Sequence, residues 1–217
     1  MTNAVKIDIW SDVACPWCYI GKRKFEEGAR RSGVPVEIEY HSFELSPDTP
    51  VDFAGSTTEY LAERKGLPVD QVTAMLQQVT GIAAAVGLHY DFDRVIHTNT
   101  VLAHELLHAA KAQGRQLETA EALFRAYFEQ GRHVGRVDDL VAIAAEVGLD
   151  TDAVRAALES HEHLGAVHAD QAQAVAYGIQ GVPFFVIDGR YGVSGAQDPD
   201  VFAGALTQVA AERESVR

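Results

Sequence analysis

Strand-like segments lie near the two ends of this 217-residue chain, with only helical patterns between them, and this arrangement constrains its fold most. Near the first end, Val5 to Trp10 and Val34 to Tyr40 alternate apolar and polar residues, as half-buried strands do. A helical pattern over Tyr19 to Arg31 separates them and ends at Gly33. Two strands joined by a helix favour parallel pairing.

Near the other end, the apolar run Phe184 to Ile187 predicts a short strand. Asp188-Gly189-Arg190 predicts a hairpin turn, and Tyr191 to Ser194 predicts its antiparallel partner strand. An amphipathic helix over Pro199 to Glu212 follows, with Asp198 as the expected N-cap.

The middle of the chain predicts a loop over residues 46–58 and then a series of helices that end at glycines. Ser56 and Glu59 have the spacing of a capping box at the start of the first helix, and Thr151 is the expected cap of the sixth. The predicted helices cover residues 56–66, 67–86, 98–113, 117–130, 137–147, 151–160 and 164–177.

The order β-α-β, helices, β-β-α predicts an α/β thioredoxin-type fold that is split by a large all-helical insertion. The length fits one domain with such an insertion. We assign residues 1–45 and 179–217 to the thioredoxin-fold domain and residues 46–178 to the helical insertion domain.

The composition and charge of the chain indicate which kinds of partner and which cellular compartment to expect. Lys and Arg total 18 against 31 Asp and Glu, so the formal charge of −13 repels nucleic acid and anionic membranes. No apolar run reaches the ~18 residues of a membrane span. The first residues enter a strand pattern without a basic leader, which predicts a cytoplasmic protein.

The chain has two cysteines, and they lie two residues apart in Cys15-Pro16-Trp17-Cys18, between a strand and a helix. A helix N-terminus stabilises a thiolate, so Cys15 is the expected nucleophile. The spacing lets Cys18 attack a mixed disulfide at Cys15 and release the product. Pro16 fits the first helical position, and Pro16 and Trp17 tune the redox potential. Half of a zinc site and a pair of inert cysteines are the structural alternatives.

Several segments closely resemble the DsbA family of thioredoxin-superfamily oxidoreductases, and specifically its FrnE-like branch. The resemblance covers essentially the whole chain. The segments that carry it are Ser11-Asp12-Val13-Ala14-Cys15-Pro16-Trp17-Cys18-Tyr19-Ile20-Gly21-Lys22, Asn99-Thr100-Val101-Leu102-Ala103-His104, Leu123-Phe124-Arg125-Ala126-Tyr127-Phe128, Gly181-Val182-Pro183-Phe184-Phe185 and Ser194-Gly195-Ala196-Gln197.

The resemblance implies a thiol–disulfide oxidoreductase with Cys15 as nucleophile and Cys18 as resolving thiol. It also implies that Pro183 is a cis-proline that faces the cysteines, and that Val182 offers its backbone to an extended substrate. We expect a thiol or disulfide substrate, no permanently bound cofactor or metal, and glutathione or another low-molecular-weight thiol as co-substrate. A homodimer is left open.

The same superfamily includes kappa-class glutathione transferases and 2-hydroxychromene-2-carboxylate isomerases, which are similar in architecture. Those enzymes carry serine where this chain has Cys15, so the cysteine favours redox chemistry. A glutathione-type thiol-dependent isomerase or transferase is the alternative function.

His104-Glu105-Leu106-Leu107-His108 matches the H-E-x-x-H pattern, which on a helix places two histidines on one face with a glutamate as base. A zinc hydrolase is therefore a remote alternative, and it needs a third ligand, for which Glu129 is at a tolerable distance. The simpler interpretation is an amphipathic helix with polar positions beside its leucines.

Other polar residues are candidates for substrate binding. By resemblance, Asn99 and His104 lie on a helix near the cysteines, where they either bind a thiol or serve as capping and solvent-facing groups. Backbone amides at Gly195-Ala196-Gln197, before the last helix, are candidates for holding a carboxylate. Asp12 either influences thiol ionisation or caps a turn.

Overall fold

The computed structural model describes residues 4–215, and within that range the chain forms four strands and nine helices. Residues 1–3 and 216–217, which the sequence assigns to the thioredoxin-fold domain, lie outside this range. The strands are β1 (Val5–Ser11), β2 (Val36–Ser42), β3 (Phe184–Ile187) and β4 (Tyr191–Ser194). The helices are α1 (Pro16–Ser32), α2 (Thr57–Lys65), α3 (Val69–Ala84), α4 (Val101–Ala112), α5 (Gln116–Phe128), α6 (Val137–Glu146), α7 (Thr151–Glu159), α8 (Leu164–Ala176) and α9 (Pro199–Ser215).

The strands form one mixed sheet in the order β2-β1-β3-β4. β1 pairs with β2 in parallel and with β3 antiparallel, and β3 and β4 form an antiparallel hairpin. In the hairpin turn, Asp188 and Gly189 have φ values of 57° and 64°, a region that Asp and Gly tolerate better than most residues. The predicted thioredoxin fold with a helical insertion is confirmed.

Helices α1 and α9 pack against each other beside the sheet. Their contact needs a glycine, because a Cβ at Gly28 would lie 2.6 Å from the Pro199 oxygen and 2.7 Å from Cβ of Phe202. Phe25 stacks on Phe185 at 5.4 Å between centroids, and Phe202 packs edge-on to both rings. Burial of one such ring contributes about 1.5–3 kcal/mol.

The helices of the insertion, α2 to α8, lie between β2 and β3 in the chain, and α4 contacts α5, α6, α7 and α8. α5 and α8 pack on β2, which is an edge strand. Gln116 of α5 accepts from the Tyr40 amide and donates to the Tyr40 carbonyl, both at 2.9 Å. Its side chain thus forms hydrogen bonds with backbone groups that would be unpaired on an exposed edge strand.

Several predicted element boundaries were wrong by a few residues. α1 begins at Pro16 instead of Tyr19, since proline suits the first helical position. α4 begins three residues later than predicted, at Val101. The cap of α7 is Asp150, not Thr151, because the Asp150 carboxylate accepts from the amides of the second and third helical residues. The capping box of Ser56 and Glu59 is present as predicted.

The described residues include no helix with both the length and the apolar character that a bilayer crossing requires. The limits of 45, 46, 178 and 179 that the sequence gives for the two domains stay a prediction. All four strands of the described residues and the helices α1 and α9 lie within the ranges of the thioredoxin-fold domain, and α2 to α8 lie within the range of the insertion domain.

Candidate active site

The cysteine motif lies at the junction between β1 and α1. Cys15 is the N-cap of α1 in an extended conformation, and Pro16 is the first helical residue. The Cys15 amide donates to the Asp12 carbonyl and the Cys18 amide donates to the Cys15 carbonyl, each at 3.0 Å. Both cysteines are free thiols and buried. The N-terminus of a helix is a position that favours negative charge.

The loop before β3 reaches the motif from the far end of the chain. The Val182–Pro183 peptide bond is cis, and Sγ of Cys15 lies 3.6 Å from the Val182 carbonyl oxygen. The Gly195 amide donates to the Pro183 carbonyl at 2.8 Å. A Cβ at Gly21 would lie 2.9 Å from Cγ of Pro183, so α1 approaches this loop closely. Residues more than 160 positions apart therefore meet at Cys15.

The two thiols differ in their surroundings. Burial raises the pKa of the Cys18 thiol well above its usual value, and the neighbouring Cys15 sulfur raises it further. Cys15 instead lines a cavity and contacts the Val182 oxygen. At neutral pH the Cys18 thiol therefore keeps its proton.

Asp12 fixes the turn that leads into the motif. Its carboxylate accepts from the Ala14 amide at 3.1 Å and from the Leu45 amide at 2.8 Å. The residue is 1% exposed, and Nε2 of His104 lies 3.6 Å from its Oδ1. Burial alone would raise the pKa of Asp12, but His104 and the two amides lower it below its usual value. Asp12 therefore stays charged inside the protein and caps the turn.

A cavity of about 370 Å³ lies beside Cys15. It is enclosed by the cysteine motif, helices α2 and α3, the end of α5, the segment 92–100 and the loop at Gly181 and Val182. Its lining is mainly apolar and aromatic, as in most small-molecule sites. Trp17 also lines it and is 39% exposed, so this side chain lies between the cavity and solvent.

The segment between α3 and α4 supplies site residues that the sequence analysis missed. The Tyr90 hydroxyl donates to the Pro16 carbonyl at 2.7 Å, and its ring stacks on Tyr19 and Phe128. His97 lines the cavity and is 8% exposed. This segment has neither a 3.6-residue nor a two-residue period, and its histidine and its aromatic residues were its only sequence signal.

The proposed substrate-binding residues Asn99, which precedes α4, and His104 of α4 do not line the cavity. Asn99 accepts from the Val101 amide at 2.8 Å and donates to the Pro47 carbonyl at 3.0 Å, so it caps and ties a loop. His104 is fully buried against Asp12, so the solvent-facing alternative for it was wrong.

The turn before α9 also uses most of its backbone groups internally. The Gly195 amide already donates to Pro183, and the Gln197 amide donates to the Gly195 carbonyl. Contrary to the expectation, these two amides are therefore not free to hold a carboxylate. Lys24 donates to the Ala196 carbonyl at 3.1 Å. The Asp198 carboxylate accepts from the Asp200 amide at 3.0 Å, as an N-cap does. The turn supports the Pro183 loop.

The two histidines of the H-E-x-x-H pattern belong to different polar clusters. Whereas His104 contacts Asp12, Nε2 of His108 lies 3.1 Å from Oδ2 of Asp170. The buried Glu105 pairs with His161 at 2.8 Å. Among residues 4–215, the group of ligands close enough to share a metal ion contains none of these residues. The contacts give no support to the zinc-hydrolase alternative.

Comparisons with known proteins agree with this architecture. The sequence profile of the DSBA-like thioredoxin domain family matches residues 6–207. YwbO of Bacillus subtilis is 32% identical over 214 residues, which span 94% of this chain and 96% of YwbO.

Two solved structures share the fold. A probable DsbA oxidoreductase of Streptomyces coelicolor, SCO1869, is 40% identical with a TM-score of 0.89, covering 96% of this chain and 91% of that one. The cytosolic disulfide reductase DsbM of Pseudomonas aeruginosa, in a structure with GSH, is 19% identical with a TM-score of 0.67, covering 94% and 98%.

Proposed function

Because this chain belongs to the DSBA-like thioredoxin domain family, we propose that it catalyses thiol–disulfide exchange, with Cys15 as nucleophile and Cys18 as resolving thiol. The observation that carries the proposal is the position of Cys15. It caps the N-terminus of α1, and its Sγ lies 3.6 Å from the carbonyl oxygen of Val182, next to the cis peptide bond.

The exchange proceeds in two displacement steps. The Cys15 thiolate attacks one sulfur of a substrate disulfide, which forms a mixed disulfide and releases the other half as a thiolate. Cys18 then gives up its proton and attacks Sγ of Cys15, so the second substrate thiol leaves and a Cys15–Cys18 disulfide remains. Two molecules of an external thiol reduce this disulfide, leave as one disulfide and close the cycle. With an oxidised pair and a reduced substrate, the same steps run in reverse.

The surroundings of Cys15 suit both the substrate and a small thiol. The Val182 backbone is available to pair with an extended chain, and the partly exposed Trp17 adds an apolar surface beside it. We assign glutathione or another low-molecular-weight thiol as co-substrate, and we place the protein in the cytoplasm. The chain has a single cysteine pair, and paired thiols in a reducing compartment are usually catalytic.

Trapping of the mixed disulfide tests the assignment of the two thiols. Cys18→Ser, mixed with glutathione disulfide, should accumulate one glutathione per chain on Cys15, as measured by intact-protein mass. Cys15→Ser should accumulate none and should lose turnover with disulfide substrates. Turnover retained by Cys15→Ser would refute the mechanism.

The Cys15–Cys18 reduction potential then gives the favoured direction. Equilibration in glutathione buffers should yield a value of about −270 mV for a reductase, or of about −120 mV for an oxidant. A glutathione-dependent isomerase, the alternative function, would not need the Cys15 thiol, because the similar isomerases carry serine there. Unchanged isomerase activity of Cys15→Ser would therefore favour it.

A further inference from the structure

We propose that the cavity beside Cys15 binds a small aromatic disulfide, or the aromatic thiol formed from it, with His97 and Thr57 as hydrogen-bonding residues. This inference rests on the proposed function, because Cys15 supplies the chemistry and the cavity selects the substrate. It concerns a small molecule that enters the insertion, whereas the Val182 backbone serves an extended chain.

The size and walls of the cavity suit such a ligand. Its volume of about 370 Å³ falls at the lower end of the roughly 300–1,000 Å³ of small-molecule sites. Val72, Leu76 and Val79 of α3 form one apolar wall. Aromatic rings from four parts of the chain also line it, and aromatic ligands pack favourably on such rings. These rings belong to Trp17, Tyr60, Phe92, Tyr127 and Phe128.

Two buried polar side chains of the lining lack partners. Nδ1 of His97 lies 3.4 Å from the Tyr127 hydroxyl, but Nε2 has no hydrogen-bond partner among residues 4–215. Oγ1 of Thr57 has none in that range either. Both side chains are more than nine-tenths buried, at 8% and 7% exposure. A buried group left unsatisfied costs about 1–3 kcal/mol, and a ligand hydroxyl or carbonyl that bonds to it removes this cost.

The charges around the cavity favour an uncharged ligand. Burial lowers the pKa of His97 to about 4, so its ring is neutral at pH 7. Asp12, which also lines the cavity, is a buried carboxylate and repels anions. Lys65 lines the outer part of the cavity and is exposed, so water screens its charge. A phenol-like hydroxyl fits these groups better than a carboxylate does.

The reaction in the cavity is the exchange described above. The Cys15 thiolate attacks one sulfur of the aromatic disulfide, and the other half leaves as an arylthiolate, which is a good leaving group because its thiol is acidic. Cys18 displaces the second arylthiolate from Cys15 and leaves the Cys15–Cys18 disulfide. Two molecules of a low-molecular-weight thiol then reduce the pair and become one disulfide.

Calorimetric titration of Cys15→Ser with bis(4-hydroxyphenyl) disulfide tests the site without any redox step. We expect saturable binding to one site. In the same background, Leu76→Trp fills the cavity and should weaken binding at least tenfold. Gln77→Trp is the matched control, since Gln77 is exposed on the same helix and does not line the cavity. Val79→Phe replaces Leu76→Trp if circular dichroism shows that the first variant is unfolded.

The hydrogen-bonding part of the proposal has its own test. His97→Phe should weaken binding of the hydroxylated disulfide about three- to tenfold and leave binding of diphenyl disulfide, which has no hydroxyl, nearly unchanged. Glutathione disulfide should bind at least tenfold more weakly than the aromatic probe, because its charged groups would lose hydration between apolar walls.

Absence of binding, or equal binding by the Leu76→Trp and Gln77→Trp variants, would overturn the cavity assignment. It would leave thiol–disulfide exchange untouched, since the background lacks the nucleophile. Conversely, a wild-type chain that forms no Cys15–Cys18 disulfide would refute the exchange and leave the binding result standing.

Discussion

Cys15 and Cys18 are separated by two residues, but they lie in different environments. Cys15 caps the N-terminus of α1 and lines a cavity that a small reagent can enter. Cys18 lies inside α1 and burial raises the pKa of its thiol. This difference predicts that Cys15 reacts before Cys18.

Alkylation kinetics should show this difference. At pH 7 iodoacetamide should modify Cys15 at least tenfold faster than Cys18, because Cys15 lines the cavity whereas burial raises the pKa of the Cys18 thiol. Peptide mapping by mass spectrometry after short exposures measures both rates. In guanidinium chloride the two cysteines should react at similar rates. Equal rates in the folded protein would contradict the asymmetry.

His97 makes the free energy of unfolding depend on pH, and the sign of this effect follows from its pKa. Its pKa is about 4 when folded and about 6.5 in the unfolded chain. The unfolded state therefore binds more protons below pH 6.5, and stability falls as the pH drops from 6.5 towards 4. Between pH 7 and pH 5 this histidine should cost about 1–2 kcal/mol.

Urea unfolding at pH 7 and pH 5 measures this contribution. The wild type should lose about 1–2 kcal/mol more than His97→Phe over this interval, since phenylalanine does not titrate. The comparison cancels the other titrating groups, which both proteins share. An equal loss in the two proteins would show that His97 titrates normally.

At the scale of elements, the site depends on how closely α1 approaches the loop that contains Pro183. Gly21 is the point of contact, because a Cβ there would lie 2.9 Å from Cγ of Pro183 and 3.5 Å from Cβ of Ala196. The helix that carries the thiols can therefore contact the loop that faces them because residue 21 has no side chain.

Replacement of Gly21 by Ala should separate these two elements. We expect Gly21→Ala to lower the free energy of unfolding by about 1–3 kcal/mol and to slow the exchange reaction. Gly81→Ala is the matched control. Gly81 lies within α3 with no atom within 4 Å of its added Cβ, so alanine should stabilise that helix by up to about 1 kcal/mol. Denaturant unfolding and turnover of both variants check the prediction.

Most elements were predictable from the sequence because their signals are local. The capping box at Ser56 and the glycines after most of the helices need only neighbouring residues. The cap at Asp150 was missed because Thr151, one residue later, is also a common N-cap residue. The segment with Tyr90 and His97 was missed because contacts with distant residues, Pro16 and Tyr127, determine its course.

At the scale of the whole molecule, a buried polar junction joins the sheet to the insertion. Asp170 of α8 accepts from the Ser42 amide at 2.8 Å and pairs with His41 at 2.8 Å and His108 at 3.1 Å. Trp10 donates to its carbonyl at 3.0 Å. Burial alone would raise the pKa of Asp170, but these partners lower it well below its usual value.

His41 responds in the opposite direction. Burial alone would lower the pKa of His41, but Asp170 and Asp8 raise it above 6.5. The stabilising effect of the pair is present below pH 6.5 and is lost as the pH rises through the raised value. For Asp170 the contribution is present above about pH 3.8 and is lost in acid. The junction is strongest between these limits.

Asp170→Asn should remove much of this stabilisation. At pH 5.5 we expect a loss of about 3 kcal/mol in the free energy of unfolding, because His41 then keeps a buried charge with one partner fewer. The loss should shrink at alkaline pH, where His41 is neutral. Asp138→Asn, at an exposed ion pair with Arg155, is the control and should change little. A uniform effect at all pH values would argue against the paired charges.

The position of β1 in the sheet has a consequence for synthesis of the chain. β1 lies between β2, which follows it within about thirty residues, and β3, which begins at Phe184. A nascent chain on the ribosome exposes Cys15 and Cys18 long before Val182 and Pro183 exist, and until then one edge of β1 is unpaired. The site is completed only after residues 182 and 183 have been synthesised, so chains that terminate before them carry both thiols next to an open, association-prone strand.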